Sequence, residues 1–214
     1  MTVRASGTSD DHTPFVAIVD DDPAVREALD SLFRSVGLRT RLFGAPGDLA
    51  EARWPDGPGC IVLDVRLPGT SGLDLQEQLA RDGIALPIVF MTGHGDIPMT
   101  VRAMKAGAID FLAKPFRDQD MLDAVSAAIE RDRARRRDTA VLHDLRSHYA
   151  TLSPREREVM AHVVSGLMNK QVAGVLGLSE ITVKIHRGNV MRKMGVRSLA
   201  ELVRQAEALG IERP

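Results

Sequence analysis

The sequence predicts two domains of different class: an α/β domain with a doubly wound, five-stranded parallel sheet, followed by an all-α domain of four helices. Short apolar runs alternate with amphipathic stretches up to residue 130, whereas only helical patterns follow Leu152. The charge is divided in the same way, with −8 over residues 1–130 and +7 over residues 131–214. A chain of 214 residues can hold both domains, and the basic half favours a polyanionic partner.

The composition is that of a globular protein rather than a membrane or secreted one. Apolar residues make up 44% of the chain, and no apolar run approaches the ~20 residues that a membrane span needs. Residues 1–14 lack the apolar region of a secretory signal. The single cysteine, Cys60, precedes an apolar run and is predicted to be buried. We therefore expect a cytoplasmic protein with a disordered tail over residues 1–14 and no membrane partner.

The first domain, residues 15–130, contains five short apolar runs that predict strands covered on both faces. They are FVAIV (15–19), LRTRLF (38–43), CIVL (60–63), LPIVFM (86–91) and AIDFL (108–112). Amphipathic segments between and after them predict helices: PAVREALDSLFRSVG, SGLDLQEQLARDG, IPMTVRAMKAG and RDQDMLDAVSAAIE. Alternation of strand and helix predicts a parallel sheet with helices packed on it.

A charged linker over residues 131–150 is predicted between the domains. Its first part, RDRARRRD, indicates an exposed segment or a continuation of the preceding helix. The spacing of Leu142, Leu145, Tyr149 and Leu152 is a heptad fragment, which fits either packing within the chain or a dimer seam.

The second domain, residues 151–214, contains four helical segments: LSPREREVMAHVVSG, NKQVAGVLG, SEITVKIHRGNVMRKM and SLAELVRQAEALG. Ser153 as N-cap, Pro154 at the first helical position and Glu156 two residues later predict a capping box at the start of the first helix.

Polar side chains follow the strands of the first domain where each strand ends. Asp20 and Asp21 follow the first strand, Asp64 the third, Thr92 the fourth and Lys114 the fifth. Carboxyl ends of parallel strands meet at one edge of a sheet, where ligands bind. One lysine cannot neutralise three carboxylates, so a hard divalent cation is predicted, and Mg²⁺ prefers this kind of oxygen ligand.

Four motifs, VDDDPAVR, LDVRLPGTSG, MTGHGD and AKPF, in this order and spacing resemble the receiver domain of bacterial response regulators, a CheY-like fold. The resemblance covers residues 15 to about 130. It implies that Asp64 accepts a phosphoryl group from a sensor histidine kinase, and that the Lys114–Pro115 peptide is cis. It further implies Mg²⁺ ligands (Asp20, Asp21, Asp64 and the Arg66 backbone carbonyl), a switch pair (Thr92 and Phe111) and a phosphoryl contact (Lys114).

Alternatives exist for parts of this site. Thr92 could be a strand-end cap, and Phe111 a plain core residue. A phosphatase of the haloacid dehalogenase type also uses an aspartyl phosphate, but it requires a carboxylate two residues after the nucleophile, where this chain has Arg66.

The stretch TGHGDIPMTVRAMKAGA resembles the FixJ-type subgroup, in which the fourth helix and fifth strand form a dimer face upon activation. The candidates for this face are Ile97, Met99, Val101 and Met104. Methionine also fills cores, so packing inside the domain is the alternative.

A helix-turn-helix is predicted over NKQVAGVLGLSEITVKIH. Ala173 permits close helix approach, Gly177 lies at the turn, Ser179 is a plausible N-cap and Val183 points inward. The alternative is a generic αα-hairpin.

Helical geometry sorts the residues of the second helix. Val183, His186, Val190 and Met194 share the face expected to pack inside. The opposite face carries Ile181, Lys184, Ile185, Gly188 and Arg192, with Asn189 at its margin. Lysine and arginine reach phosphates or guanine edges, asparagine reads adenine, and isoleucine contacts a thymine methyl. Lys170 and Thr182 are better placed for backbone phosphates. A solvated face is the alternative.

Residues 152 to 208 resemble the LuxR/NarL-type four-helix DNA-binding domain. The resemblance implies base contacts by Lys184, Ile185 and position 188. Some relatives have lysine at this position, whereas Gly188 allows the helix backbone to approach DNA closely. A dimer on two half-sites of a double-stranded operator is expected.

These features together predict a FixJ/NarL-type response regulator that is phosphorylated on Asp64, forms a homodimer and binds DNA to regulate transcription. It would catalyse only its own phosphoryl transfer and dephosphorylation. One alternative is a DNA-binding regulator controlled without phosphate, by a protein partner or constitutive dimerisation. Another is a phosphohydrolase that acts on outside substrates.

Overall fold

The computed structural model describes residues 13–50, 52–93 and 97–211. The chain divides into two compact units, Met1–Arg136 and Arg137–Pro214. The tail predicted over residues 1–14 lies, up to residue 12, outside the described residues.

A five-stranded parallel sheet forms the centre of the first unit, as the sequence predicts. Its strand order is β2-β1-β3-β6-β7, and all neighbouring strands pair in parallel. The strands are β1 (Phe15–Val19), β2 (Arg39–Phe43), β3 (Gly59–Asp64), β6 (Ile88–Thr92) and β7 (Asp110–Ala113). A short antiparallel pair, β4 (Arg66–Leu67) and β5 (Thr70–Ser71), follows β3.

Helices cover both faces of this sheet. They are α1 (Pro23–Ser35), α2 (Gly47–Ala50), α3 (Gly72–Arg81), α4 (Ile97–Lys105) and α5 (Asp118–Ala150). Alternate residues of β1 enter two different cores: Phe15, Ala17 and Val19 pack with the leucines of α3, whereas Val16 and Ile18 pack with α1 and α5. This period-two division is what a strand buried on both faces requires. Cys60 lies fully buried in the second of these cores, as predicted.

Two local features differ from the sequence-based expectation. The helix after β2 has only four residues, so the strand–helix alternation is shortened there. The β4–β5 pair was not predicted. It turns back at Gly69, whose φ of +80° lies in the left-handed region that glycine adopts readily.

The segment RDRARRRD continues helix α5 without interruption, and its Asp132 is fully buried. The expectation of an exposed segment is therefore wrong at this residue. Asp132 accepts hydrogen bonds from the Gly59 backbone N–H at 3.0 Å, Arg135 Nη2 at 2.6 Å and Arg136 Nε at 2.7 Å. Burial is tolerated because the carboxylate is fully hydrogen-bonded.

The second unit packs four further helices around one core: α6 (Pro154–Val164), α7 (Asn169–Leu176), α8 (Glu180–Lys193) and α9 (Leu199–Ala208). The capping box predicted at Ser153 and Glu156 is present. Glu156 is buried and pairs with Lys193 Nζ at 2.6 Å, which ties the end of α8 to the start of α6.

Of the heptad fragment, Leu152 belongs to the core of this second unit, Tyr149 packs against that core, and Leu142 and Leu145 are half-buried. Within the described part of the chain, no helix has the length and apolar character needed to cross a bilayer.

Candidate functional site

Three carboxylates meet at the carboxyl edge of the sheet. Asp20 and Asp21 directly follow β1, and Asp64 ends β3, the strand that pairs with β1. One carboxylate oxygen from each of these three side chains lies within 4.8 Å of the others. Asp20 and Asp64 are buried, whereas Asp21 is exposed. The structure thus brings together the acidic residues that the sequence places at strand ends.

Lys114 supplies a positive charge to this cluster. Its Nζ lies 2.6 Å from Asp20 Oδ2 and 3.6 Å from Asp64 Oδ1. Its backbone N–H donates to the Thr92 carbonyl at 2.6 Å, which links the lysine to the end of β6. The following Lys114–Pro115 peptide is cis, as the resemblance implies.

The electrostatic balance at Asp64 disfavours its charged form. Burial raises the pKa of the Asp64 carboxyl above its ordinary value and the Asp20 charge adds to the rise, while Lys114 opposes it. Three carboxylates with one ammonium group leave excess negative charge in a partly buried site. Because all three acids offer hard oxygen ligands, the residues present fit a magnesium ion.

The three consecutive aspartates have different roles. Asp22 is the N-cap of α1 and accepts from the Ala24 N–H at 2.8 Å, so it belongs to the helix. Asp20 accepts the Asp22 N–H at 2.9 Å, which orients its carboxylate. Only Asp20 and Asp21 of the three thus belong to the acidic cluster.

Arg26 is a contributor that the sequence did not reveal. Its Nη1 donates to the Asp20 backbone carbonyl at 2.6 Å, from one turn into α1. The contact fixes the loop that carries Asp20 and Asp21. An arginine in the first turns of an amphipathic helix gives no signal for such a contact in the sequence alone.

Gly72 is a second residue of the site that the sequence did not reveal. A Cβ built at this position would lie 2.5 Å from the backbone oxygen of Asp64, and the Gly72 N–H donates to the Val65 carbonyl at 2.8 Å. The start of α3 therefore approaches the end of β3 more closely than any side chain allows. The LPGTSG motif contains the glycine, but its packing partner becomes visible only in the fold.

The remaining receiver candidates lie on β4, β6 and β7. Thr92 ends β6 and is fully buried. Phe111 on neighbouring β7 is half-buried, with its ring centroid 6.2 Å from that of Phe90. The Arg66 side chain is exposed on β4, two residues after Asp64.

The predicted dimer residues of α4 do not share one environment. Val101 and Met104 are exposed. Met99 is half-buried against the core of the first unit, and the side chain of Ile97 lies outside the described residues.

A helix-turn-helix is formed by α7 and α8 in the second unit. Gly177 ends α7 with a φ of +66°, and the Ser179 hydroxyl caps α8 by accepting the Thr182 N–H at 3.1 Å. Ala173 and Val183 are buried between the helices, as predicted. His186 is half-buried, and its Nδ1 has no hydrogen-bond partner among the described residues.

The opposite face of α8 is exposed along its length. Ile181, Lys184, Ile185, Gly188 and Arg192 all lie on it. Half-buried Asn189 accepts from Arg192 Nη2 at 3.1 Å, so its amide is engaged within the helix. Lys170 on α7 is exposed, and the Thr182 hydroxyl lies 2.8 Å from that of Ser179.

Two family models match the chain in consecutive segments. Residues 16–126 match the response regulator receiver domain, and residues 150–206 match the bacterial regulatory proteins of the luxR family. The chain belongs to the response regulators. It therefore combines a receiver with a LuxR-type DNA-binding domain and regulates transcription.

Individual relatives place this response regulator in the FixJ/NarL type. It is 61% identical to nodulation protein W of Bradyrhizobium diazoefficiens over 92% of this chain and 86% of the relative. It is 44% identical to the transcriptional regulatory protein FixJ of Azorhizobium caulinodans over 92% and 93%, respectively. The solved structure of the response regulator StyR superposes with a TM-score of 0.82 at 50% identity, and the match covers 91% of this chain and 98% of StyR. This two-domain architecture is not that of a classical enzyme.

Proposed function

We propose that this response regulator is switched by phosphorylation of Asp64, which a sensor histidine kinase supplies. The observation that carries the proposal is the position of Asp64: its carboxylate lies 3.6 Å from Lys114 Nζ and belongs to a cluster of three acids within 4.8 Å. A carboxylate so placed attacks the phosphorus of the donor, the bond from phosphorus to the kinase histidine nitrogen breaks, and an acyl phosphate forms.

The residues that would hold Mg²⁺ are Asp20, Asp21, Asp64 and the Arg66 backbone carbonyl. When bound, the ion offsets negative charge on the phosphoryl group during transfer. Lys114 reaches both buried acids and contacts a phosphoryl oxygen once Asp64 is modified. Arg26 keeps the ligand loop in place through the Asp20 carbonyl.

Thr92 and Phe111 are the proposed switch pair. Phosphorylation adds strong acceptor oxygens at Asp64, and the Thr92 hydroxyl, at the end of an adjacent strand, donates to one of them. Phe111 lies on the next strand, opposite Phe90 in the β6–β7 register. Movement of Thr92 makes room for the Phe111 ring and changes the surface formed by α4 and β7.

That surface is proposed to mediate homodimer formation. Val101 and Met104 of α4 offer exposed apolar area beside the basic Arg102 and Lys105. Ile97 and Met99 complete the candidate set. A second copy of the chain covers this face after phosphorylation.

The dimer then binds a double-stranded DNA operator. Lys184, Ile185 and Gly188 of α8 are proposed to contact bases, with Asn189 and Arg192 next to them. Lys170 and Thr182 contact backbone phosphates. Two copies place two such helices on two half-sites. Because the chromosome is the partner, we expect the protein in the cytoplasm.

The proposed domain boundaries are those that the sequence predicts. Residues 15–130 form the receiver, residues 131–150 the helical linker and residues 151–214 the DNA-binding domain. Residues 1–14 are an N-terminal tail.

The test uses a small-molecule phosphodonor with Mg²⁺ and measures intact mass. The wild type is expected to gain one phosphoryl group, and Asp64→Asn none. Asp74→Asn, which changes an exposed aspartate of α3 outside the cluster, is the matched control and is expected to behave as the wild type. Light scattering on the same samples reports the dimer.

Each alternative predicts a different result. A wild type that gains no phosphoryl group but binds DNA supports control without phosphorylation. Continuous release of phosphate from an outside substrate, rather than one stoichiometric acyl phosphate, supports a phosphohydrolase.

A further inference from the structure

A cleft with a volume of about 370 Å³ lies at the amino-terminal edge of the sheet in the first unit. The start of β6, the loops that follow α3 and α4, and the arginine-bearing part of α5 form its walls. Asp64 and Thr92 end their strands at the opposite edge, so the cleft is separate from the acidic cluster. Its volume is in the range of small-molecule sites and far exceeds the ~30 Å³ that one water molecule occupies.

One wall of the cleft carries a buried polar group whose hydrogen bonding is incomplete. Gln76, on the buried face of α3, is only 6% exposed and lines the cleft. Its Nε2 donates to the Ala106 carbonyl at 3.0 Å, which fixes the orientation of the amide. Its buried Oε1 accepts no hydrogen bond from any residue that the structure describes. Because burial of an acceptor without a donor is unfavourable, the cleft favours a molecule that donates a hydrogen bond to this oxygen.

A second wall of the cleft is positively charged. Arg131 and Arg135, one turn apart on α5, both border it. Arg135 donates to Asp132 Oδ1 through Nε at 3.0 Å and Nη2 at 2.6 Å. Arg131 is exposed and forms no ion pair with a described carboxylate. Among the described residues no acidic side chain lines the cleft, so the Arg131 charge is left for an anionic group.

The rest of the lining is mostly apolar and includes Ala80, Ile84, Leu86, Ile88 and Ile109. This surface suits a hydrocarbon body between the two polar ends. A carboxylate matches the cleft better than a phosphate does. One guanidinium with no partner balances the single charge of a carboxylate, whereas a phosphate monoester carries about −1.5 to −2 at pH 7. Guanidinium also pairs with carboxylate in a bidentate geometry.

We propose that this cleft binds a small carboxylic acid that carries a hydroxyl group. Arg131 binds the carboxylate, the Gln76 Oε1 accepts a hydrogen bond from the hydroxyl, and the apolar side chains contact the body of the ligand. Such a combination of an apolar pocket with a few fixed polar groups is typical of ligand sites. The site does not involve Asp64, so the inference goes beyond the proposed phosphorylation and stands independently of it.

The test titrates three phenolic acids into the ¹⁵N-labelled full-length protein and follows its amide spectrum. The probes are 4-hydroxybenzoate, 4-hydroxyphenylacetate and 3-(4-hydroxyphenyl)propionate, which separate the same two polar groups by increasing lengths. A rigid ring loses little conformational freedom on binding. At least one probe is expected to bind with a dissociation constant in the millimolar range or below, and to shift the amide signals of residues around Gln76 and Arg131.

Substitutions on both walls then locate the probe that binds best. Gln76→Leu and Arg131→Gln are each expected to weaken its binding by about tenfold. Gln78→Leu and Arg133→Gln are the matched controls, because both residues are exposed on the same two helices and do not line the cleft. Their affinity for the probe should equal that of the wild type.

The analogue of this probe without the hydroxyl group identifies the Gln76 contact. The wild type is expected to bind the analogue about tenfold more weakly than the probe, whereas Gln76→Leu should bind the two equally. Such a coupling between a ligand group and a side chain is not produced by a loss of stability alone.

Several results would overturn the inference. One is the absence of binding by all three acids, which leaves only water in the cleft. Another is binding that neither Gln76→Leu nor Arg131→Gln weakens, because the acid then lies elsewhere. Equally strong binding of inorganic phosphate would reveal an unspecific anion site only. Asp64→Asn is expected to bind the probe as the wild type does, so failure of the proposed phosphorylation would leave this site intact.

Discussion

Asp132 is expected to hold helix α5 against the start of β3, and its replacement tests this contact. The residue is fully buried and 73 positions from its partner Gly59. In Asp132→Ala, the buried Gly59 N–H loses its acceptor, which costs about 1–3 kcal/mol. The two ion pairs add little, about 0–1 kcal/mol each, because Arg135 and Arg136 are 41% and 34% exposed. The unfolding free energy of the receiver is therefore expected to fall by roughly 1–5 kcal/mol.

The assay is urea unfolding followed by the fluorescence of Trp54. This is the single tryptophan of the chain, and its ring lies 6.2 Å from Phe15 and 6.1 Å from Phe43. The Phe15 ring fills the space that a Cβ would need at Gly59. The Trp54 signal therefore reports on the receiver core beside Gly59.

The matched variant is Asp132→Asn, which keeps an acceptor for the Gly59 N–H and removes the charge. It is expected to lose less stability than Asp132→Ala by about 1–3 kcal/mol. Equal losses of stability for the two variants would refute the reasoning. So would a loss below about 0.5 kcal/mol for Asp132→Ala, because ordinary surface substitutions have effects of that size.

Three further changes test other contacts. Asp64→Asn should raise the unfolding midpoint of the receiver at neutral pH without Mg²⁺. The pKa of the Asp64 carboxyl is raised in the folded protein, so the stability it contributes is present at low pH and is lost as pH rises through the folded-state pKa. Asparagine stays neutral and does not lose it. The gain should shrink at low pH; an unchanged midpoint at pH 7 would contradict it. Gly72→Ala should destabilise the receiver by about 1–3 kcal/mol and slow its phosphorylation, because the added Cβ meets backbone. Gly47→Ala, with open space at Cβ, should change neither the stability nor the phosphorylation rate. Equal phosphorylation rates for Gly72→Ala and the wild type would count against the clash. Glu156→Gln should destabilise the second unit by about 1–3 kcal/mol at pH 7, as followed by circular dichroism. The hydrogen bond from Lys193 lowers the Glu156 pKa, so this stability is present above the unfolded pKa and lost as pH falls; a difference that persists in acid would argue against this cause.

The sequence predicted the sheet and the position of its acidic residues well, for a physical reason. Strands β1, β3 and β6 are short, fully buried runs of mostly apolar residues, and the polar residue at the end of each marks the edge where ligands bind. Asp20 and Asp64 could be placed together because β1 and β3 are parallel neighbours. In the second unit, the capping residues Ser153 and Ser179 mark helix starts by local chemistry that needs no fold.

Contacts between distant segments could not be predicted in this way. Asp132 lies within a run of arginines that indicates solvent, and only the fold brings Gly59 to it. Arg26 and Gly72 contact the backbone around Asp20 and Asp64 through the packing of α1 and α3. Such contacts depend on which elements become neighbours, and no periodicity in the chain encodes that.

The central claim is that phosphorylation of one carboxylate, Asp64, controls DNA binding by the second unit of the chain. The most direct measurement is the affinity of the full-length protein for a duplex that it has selected from random DNA, with and without phosphodonor and Mg²⁺, for the wild type and Asp64→Asn. The account predicts that the donor tightens binding by the wild type and leaves Asp64→Asn unchanged. Equal affinity of the wild type in both conditions, after mass measurement has confirmed the acyl phosphate, would contradict it.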